Sequence, residues 1–395
     1  MPTVTIRKLS DAEAPEVAYP LASYAFSPSP PLRDKAEFMA TAQLRRGAMV
    51  VAAFEDERAV AIVGSTAMTQ NVRGRLFGAS AIWGIASHPA TRRQGYVRRT
   101  LAETLALTRE ASQPLSGLYP FRESFYERLG YVTFPRPHLA KFAPAALAAL
   151  LRHDFDGHVE LLAIADGYDR FRAYVIEQRA RVHGMAVFDL PEKEAAVRRN
   201  DLWVALALSG GEVVGGMLYN LRDEDRQGMT LKAPRFYYDT SLGRYLLLQW
   251  IARHTDQAGH AEIRLPPTER PETWWPDLRA AVEFSGGAPM ARIVDVAALN
   301  GMVVGAGCFD IHLTDPLCPW NTGAWRFAAT DGRLEVSRVA DAECELAVQG
   351  LTGLVFGTHD GADFAVRGWG QPSAKTQAVM RAMFPPMLPY MHETF

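Results

Sequence analysis

Twice along this 395-residue chain, strand-like segments run into a glycine that opens an amphipathic helix. In the first instance "MVVAAFE", "AVAIVGSTAMTQ" and "LFGASAIWGIAS" lead to "HPATRRQGYVRRTL", where Gly95 precedes Val97, Leu101 and Leu105 on one helix face. The acidic turn "EDER" joins the first two segments as a hairpin. In the second, the hairpin "DLWVALALSGGEVVGGMLYNL" precedes "RFYYDTSLGRYLLLQWIARHTDQ", with Gly243 in the place of Gly95. A strand period that gives way to a helical period at the same glycine, twice, reads as a degenerate duplication of an α/β unit. Setting Gly243 on Gly95 brings Thr240 and Ser241 opposite Arg92 and Arg93, so the second copy lacks the arginines of the first.

The flanks extend the pattern. "TVTIRKLS" alternates as a strand, and Ser10 with Glu13 forms a capping box for a first helix. A second helix is expected from about Arg33 to Arg46. Beyond Gly95, "PLSGLY" reads as a strand. "FRESFYERLGY" reads as a short helix, with Phe121, Phe125 and Leu129 as its buried stripe and Gly130 as a left-handed C-cap. With "YVTF" the order up to about residue 142 is β-α-α-β-β-β-α-β-α-β. The last hundred residues read as an α+β module. Twisted strands cover "GCFDIHLTDPLCPWNTGAWRFAATDGRLEVSRV", and helices cover "AECELAVQGLTGLVFG" and "KTQAVMRAMFP".

Composition narrows the partners. A length of 395 residues suits two or three domains, and a hydrophobic share of 48% can fill them. A net charge of −2 gives no global basic field for nucleic acid or an acidic membrane. The arginines around Gly95 therefore need a local reason. Cys308, Cys318 and Cys344 lack zinc or redox spacing and read as reduced thiols, and the histidines show no i, i+4 pair, so no metal site is expected. "MPTVTIRKLS" is not an apolar signal segment, and no stretch suffices for a bilayer, so the expected location is the cytoplasm.

The local reason is a phosphate site. A helix N-terminus offers free N–H donors and positive potential, and a glycine lets a ligand approach. In "RRQGYV" the N–H groups of Gln94, Gly95, Tyr96 and Val97 are the candidate nest for a diphosphate. Arg92 and Arg93 would screen its charge, and Arg98 or Arg99 could reach a further phosphate. The pattern is neither a P-loop nor a dinucleotide fingerprint, and by itself it also fits a helix start with solvated arginines.

Arg92-x-x-Gly95, followed by a helix, a strand and "FYERLGY", resembles the acetyl-CoA site of the GNAT N-acetyltransferases. Their pattern is Q/R-x-x-G-x-G/A. Val97 departs from its last position but keeps the N–H. Over the whole chain, the tandem unit, "DPLCPWN" and the terminal aromatic carboxylate resemble the Eis (enhanced intracellular survival) acetyltransferases. The resemblance implies a mixed α/β and α+β fold: two GNAT-type mixed-sheet domains followed by a sterol-carrier-like α+β domain. The domains would be residues 1–145, residues 146–292 without a cofactor site, and residues 293–395. It also implies acetyl-CoA as co-substrate and a homo-oligomer, a hexamer built as a trimer of dimers.

The chemistry is attack of an amine on a thioester. Gly84 in "AIWGIAS" permits a bulge that would splay the strand for a pantetheine arm, and the Ile85 N–H is the candidate oxyanion donor. Tyr126, about 100° around its helix from the apolar stripe, matches the family's general acid. For the base, His88 reads better as a loop cap, and Glu123 and Glu127 as solvated. The Eis resemblance points instead to the α-carboxylate of Phe395, a weak base unless burial raises its pKa or it acts through a water. The acceptor is a small-molecule or peptide amine. For an aminoglycoside or polyamine, Asp34, Glu37 and Glu393 are the candidate carboxylates, although Thr394 stands where an acid would help. A different reading makes the chain a lipid carrier with a non-catalytic GNAT scaffold, which calls for an apolar tunnel in residues 295–395. A tRNA-dependent aminoacyl transferase would need a helical-hairpin insertion and a more basic surface than this sequence has.

Overall fold

The structure, a computed structural model, describes residues 3–43, 47–225, 228–342 and 344–395. Two compact units divide the chain: residues 1–134, 182–191 and 288–395 form one, residues 135–181 and 192–287 the other.

The first unit carries an eight-stranded sheet. β1 (Val4–Lys8), β2 (Ala48–Glu55), β3 (Arg58–Val72) and β4 (Arg75–Ser87) pair antiparallel in that order. Helices α1 (Ala14–Phe26) and α2 (Lys35–Gln43) lie between β1 and β2 in sequence. The expected end of the second helix, at Leu44, Arg45 and Arg46, lies outside the described residues. Ser10 and Glu13 exchange bonds ahead of α1, the Ser10 N–H donating to the Glu13 carboxylate (3.0 Å) and the Glu13 N–H to the Ser10 hydroxyl (3.3 Å). After β4, helix α3 (Tyr96–Glu110) crosses over and β5 (Leu115–Leu118) joins β4 in parallel. Leu101 and Leu105 face the core, and so do Thr100, Thr104 and Thr108. Each of these threonine hydroxyls donates to the carbonyl four residues back, which satisfies it inside the helix. The short helix α4 (Glu123–Glu127) and β6 (Val132–Thr133) complete the expected order.

One strand of this sheet comes from far along the chain. Met290–Ile293 fills the place between β5 and β6, antiparallel to both. The second unit repeats the plan in its own seven-stranded sheet. His158–Ala163, Trp203–Ser209, Glu212–Asp225 and Gly228–Tyr238 pair antiparallel, and Ala258–Leu265 follows helix Ser241–Ala252 in parallel. There His138–Phe142 holds the place that Met290–Ile293 holds in the first sheet. Two strands thus lie across the sequence-based boundaries at residues 145 and 292, because neither sheet takes its neighbouring strand from its own stretch of chain.

The C-terminal module belongs to the first unit. Its four-stranded sheet runs Arg333–Arg338, Gly323–Thr330, Cys308–Thr314, Glu345–Ala347. The segment "AECELAVQG" was expected to be helical throughout. Instead Glu345–Ala347 adds a parallel strand beside Cys308–Thr314, and the helix begins after it, as Val348–Phe356. Phe309 and Phe327 stack at 5.2 Å, and Met380, Met383 and Phe384 are buried around them.

His183 is buried within this unit. Its Nδ1 accepts from the Arg73 N–H (3.1 Å), and its Nε2 pairs with the Phe356 carbonyl oxygen (2.9 Å). Burial pushes its pKa down to about 4, and that of His359 likewise to about 4. The unfolded chain takes up protons near pH 6.5 while the folded chain excludes them. The contribution of these two rings to stability is therefore complete above pH 6.5 and lost as the pH falls toward 4. The urea midpoint is expected to drop steadily between pH 7 and pH 5; a constant midpoint there would show that these rings are protonated without cost.

Candidate active site

The site begins at an irregularity in β4. Ile62 of β3 faces Ala86, while Gly64 faces Trp83, so Val63 alone opposes Gly84 and Ile85. Gly84 has φ 61°, a left-handed conformation that a glycine adopts without strain. On the other side, the parallel ladder between β4 and β5 ends at Ile82 and Leu118. Beyond that pair the two strands are no longer bonded to each other. This is the expected bulge and splay, and Ile85 lies within it, lining the cavity described below.

The arginine-rich turn follows four residues after the strand ends. Arg93 (φ 65°) and Gly95 (φ 84°) are both left-handed. Gly95 is the N-cap of α3, and no side chain caps the helix there. Arg92, Arg93, Gln94 and Gly95 are exposed, and nothing lies within 4 Å of the position a Cβ on Gly95 would take. The first turn of α3 therefore presents its donors to solvent. Among the described residues, Arg92, Arg93 and Arg98 form no ion pair. Tyr96 is buried and anchors the turn, its hydroxyl donating to the Glu55 carboxylate at 3.0 Å. The corresponding turn of the second unit is closed. The Thr240 hydroxyl accepts from the Gly243 N–H (3.0 Å), and a Cβ on Gly243 would overlap the Val214 carbonyl oxygen.

Tyr126 is 4% exposed, whereas Phe121 is 75% exposed. The expected apolar stripe is thus corrected: Phe121 precedes α4, and this helix of five residues buries Tyr126 and not the Phe121 ring. Phe125, Phe121 and Tyr131 surround the phenol ring at 5.0, 5.8 and 6.1 Å between centroids. Burial raises its pKa to about 12, so it stays protonated at neutral pH. The helix is held from behind. Gln349 donates to the Glu127 carbonyl (2.7 Å), and Arg292, itself paired with Asp315 at 2.6 Å, donates to the Leu129 carbonyl (2.5 Å).

The chain terminus is anchored and not frayed. The Tyr390 N–H donates to the His183 carbonyl (2.9 Å), and Met391 packs over Gly117. The Tyr119 hydroxyl donates to the Glu393 carbonyl (2.9 Å). The Phe395 ring meets Tyr119 at 5.4 Å and Phe188 at 6.0 Å.

These elements enclose a cavity of about 760 Å³ whose lining includes Trp83, Gly84, Ile85, Tyr119, Tyr126 and Phe395. Bulge, phenol and terminus come together there; residues 92–98 stand apart from the lining. The remaining candidates fall elsewhere. His88 caps the turn after β4, Nδ1 accepting from the Ala90 N–H (3.2 Å), and does not line the cavity. Glu123 accepts from Thr133, and Glu127 lies 3.6 Å from Arg367. The expected acceptor carboxylates are corrected too. Asp34 accepts from the Glu37 N–H, Glu37 pairs with Arg33, and Glu393 accepts from the Phe188 N–H, so each is engaged and none lines the cavity. Residues that the sequence reading missed, Trp83, Phe38 and Tyr119, do line it. A signal for the cavity was present in α1, where Ala14, Ala18 and Ala22 recur every four residues and leave space over the sheet.

Residues 5–134 match the acetyltransferase (GNAT) domain family, and residues 297–392 the sterol carrier protein domain family. The whole chain is similar to a GCN5-related N-acetyltransferase from Kribbella flavida, with 20% identity, a TM-score of 0.80, and coverage of 100% of this chain and 99% of that one. It is similar to another from Anabaena variabilis, with 16% identity, a TM-score of 0.83 and coverage of 100% of both chains. It is also similar to Eis1 from Mycobacterium abscessus, with 18% identity, a TM-score of 0.78 and coverage of 100% of both. No curated protein sequence matches it significantly. Residues 5–134 thus form an acetyltransferase (GNAT) domain, and the whole chain shares the fold of these solved structures. Its GNAT domain and C-terminal sterol carrier protein domain make it Eis-like in build.

Proposed function

We propose that the protein transfers the acetyl group of acetyl-CoA directly to a primary amine held in the 760 Å³ cavity. The observation that carries this reading is the convergence of the β4 bulge, the buried Tyr126 phenol and the chain terminus on one cavity. The amine nitrogen attacks the thioester carbonyl carbon, and the oxyanion accepts from the Ile85 N–H. As the C–S bond breaks, the Tyr126 phenol gives its proton to sulfur, whose proton affinity the same apolar walls raise. The new ammonium loses its proton to the Phe395 carboxylate, directly or through a water. Solvent carries that proton back to Tyr126, so amine and thioester become amide and thiol with no net change of charge. The N–H groups of Gln94, Gly95, Tyr96 and Val97, with Arg92, Arg93 and Arg98, bind the diphosphate end of the co-substrate.

The closed turn at Gly243 supports one co-substrate site per chain. Isothermal titration with acetyl-CoA is expected to give a stoichiometry of one, lost in Gly95→Glu, which sets a carboxylate and a strained φ in the nest. Two sites per chain would overturn the assignment. For overall activity, thiol release from acetyl-CoA against an amine panel is the test. The lipid-carrier reading calls for a tunnel within residues 295–395, where Phe309, Phe327, Met380 and Phe384 are buried.

A further inference from the structure

We infer that the acceptor is a monoamine carried on an apolar body, an alkyl or arylalkyl amine, and not a polycation; this rests on the reading of the cavity as the acceptor site. The lining includes the small-residue stripe of α1, Ala14, Ala18 and Ala22, together with Ile62, Ile82 and Trp83. Among the described residues, two charged side chains line the cavity, Asp11 and Arg33, and Arg33 is already paired with Glu37 at 2.7 Å. The polar atoms of two lining aromatics are also engaged: the Trp83 Nε1–H donates to Thr66 (2.9 Å) and the Tyr119 hydroxyl to the Glu393 carbonyl (2.9 Å). These two side chains therefore offer ring surface.

Two further rings reach from the lining to solvent. Phe26 is 61% exposed and Phe121 75% exposed, uncommon for large aromatics beside a concave site. Such a rim suits an apolar body that fills the cavity and emerges past its mouth. A polyamine or aminoglycoside would bring several ammonium groups, each leaving water, and among the described lining residues Asp11 and the terminus are the carboxylates that could meet them. A monoamine brings one, and desolvation lowers its pKa toward the neutral form that attacks.

The test is kcat/KM for the linear n-alkylamines from butylamine to octylamine, with spermidine and kanamycin alongside, read by thiol release from acetyl-CoA. Amine basicity is nearly constant along the series, so chain length isolates burial. The expected result is a rise of about fourfold per methylene over the first few steps, with spermidine and kanamycin below butylamine. In Ala18→Met, which fills the cavity from α1, the rise is expected to stop at a shorter chain while acetyl-CoA binding by calorimetry is unchanged. A flat series, or preference for spermidine or kanamycin, overturns the inference and leaves the acetyltransferase reading standing. Binding of acetyl-CoA without thiol release to any of these amines, with acetylation only of peptide amines, overturns the inference in favour of a peptide acceptor. No acetyl-CoA binding at all overturns both.

Discussion

Tyr126→Phe is expected to lower kcat about 10²–10⁴-fold, the usual contribution of a positioned proton donor, with little change in KM for acetyl-CoA. The substitution removes one oxygen and leaves the ring contacts to Phe125, Phe121 and Tyr131 in place. The hydroxyl makes no hydrogen bond to another side chain or to the backbone among the described residues, so its loss orphans no buried partner. The position of α4 does not depend on it either. The Leu129 and Tyr131 N–H groups donate to the Tyr126 carbonyl, and Gln349 and Arg292 hold the carbonyls that follow. Because the phenol sits at about 12, the wild-type rate should show no loss of this donor below about pH 11. Stopped-flow thiol release with a slow acceptor reads the chemical step, and calorimetry reads co-substrate affinity. Full kcat with a slow acceptor would reduce Tyr126 to a packing residue.

The first sheet was readable because its strands are long and apolar and its one crossover helix has a clear leucine face. The bulge could be expected because Gly84 interrupts an otherwise β-forming run, and the open helix start because Gly95 lies between a strand and a helix. The strand exchange was not readable. Met290–Ile293 and His138–Phe142 are both short and mix apolar residues with Arg292, His138 and Lys141, and local periodicity carries no information on which of two similar sheets a short strand will join. The buried face of α3 was only half visible, since Thr100, Thr104 and Thr108 look polar until their hydroxyls are seen bonded within the helix. Tyr126 was assigned its role with the wrong neighbours. A four-residue spacing from Phe121 assumes a longer helix than the five residues that form. The acceptor carboxylates were not placed by the sequence for a related reason: Asp34 and Glu37 are capping and ion-pair residues of α2 and do not line the cavity.

The second large effect concerns the terminus. A C-terminal extension past Phe395 is expected to lower kcat by about 10²–10⁴-fold, while the same tag at the N-terminus leaves activity intact. Extension converts the α-carboxylate to an amide, which cannot accept the proton, and forces new atoms into the cavity that Phe395 lines. Position matters as much as charge. The tail is fixed at Tyr390 by the His183 carbonyl and at Glu393 by the Tyr119 hydroxyl, so the chain beyond those points has a set reach. Deleting Phe395 leaves a carboxylate on Thr394, but ~3.5 Å short of the original place, and removes the ring that packs on Tyr119 and Phe188. The deletion is therefore expected to resemble the extension in kcat even though it keeps a terminal charge. Acetyl-CoA binding should survive both changes, because the donors of residues 94–97 do not line the cavity. If an extended enzyme keeps its kcat and KM, the carboxylate is not the base. His88 would not replace it, since its Nδ1 already accepts from Ala90 and it lies outside the lining. The amine would then have to enter already neutral, and the rate would follow the acceptor's own ionisation, rising tenfold per pH unit until the pKa of the bound amine is passed.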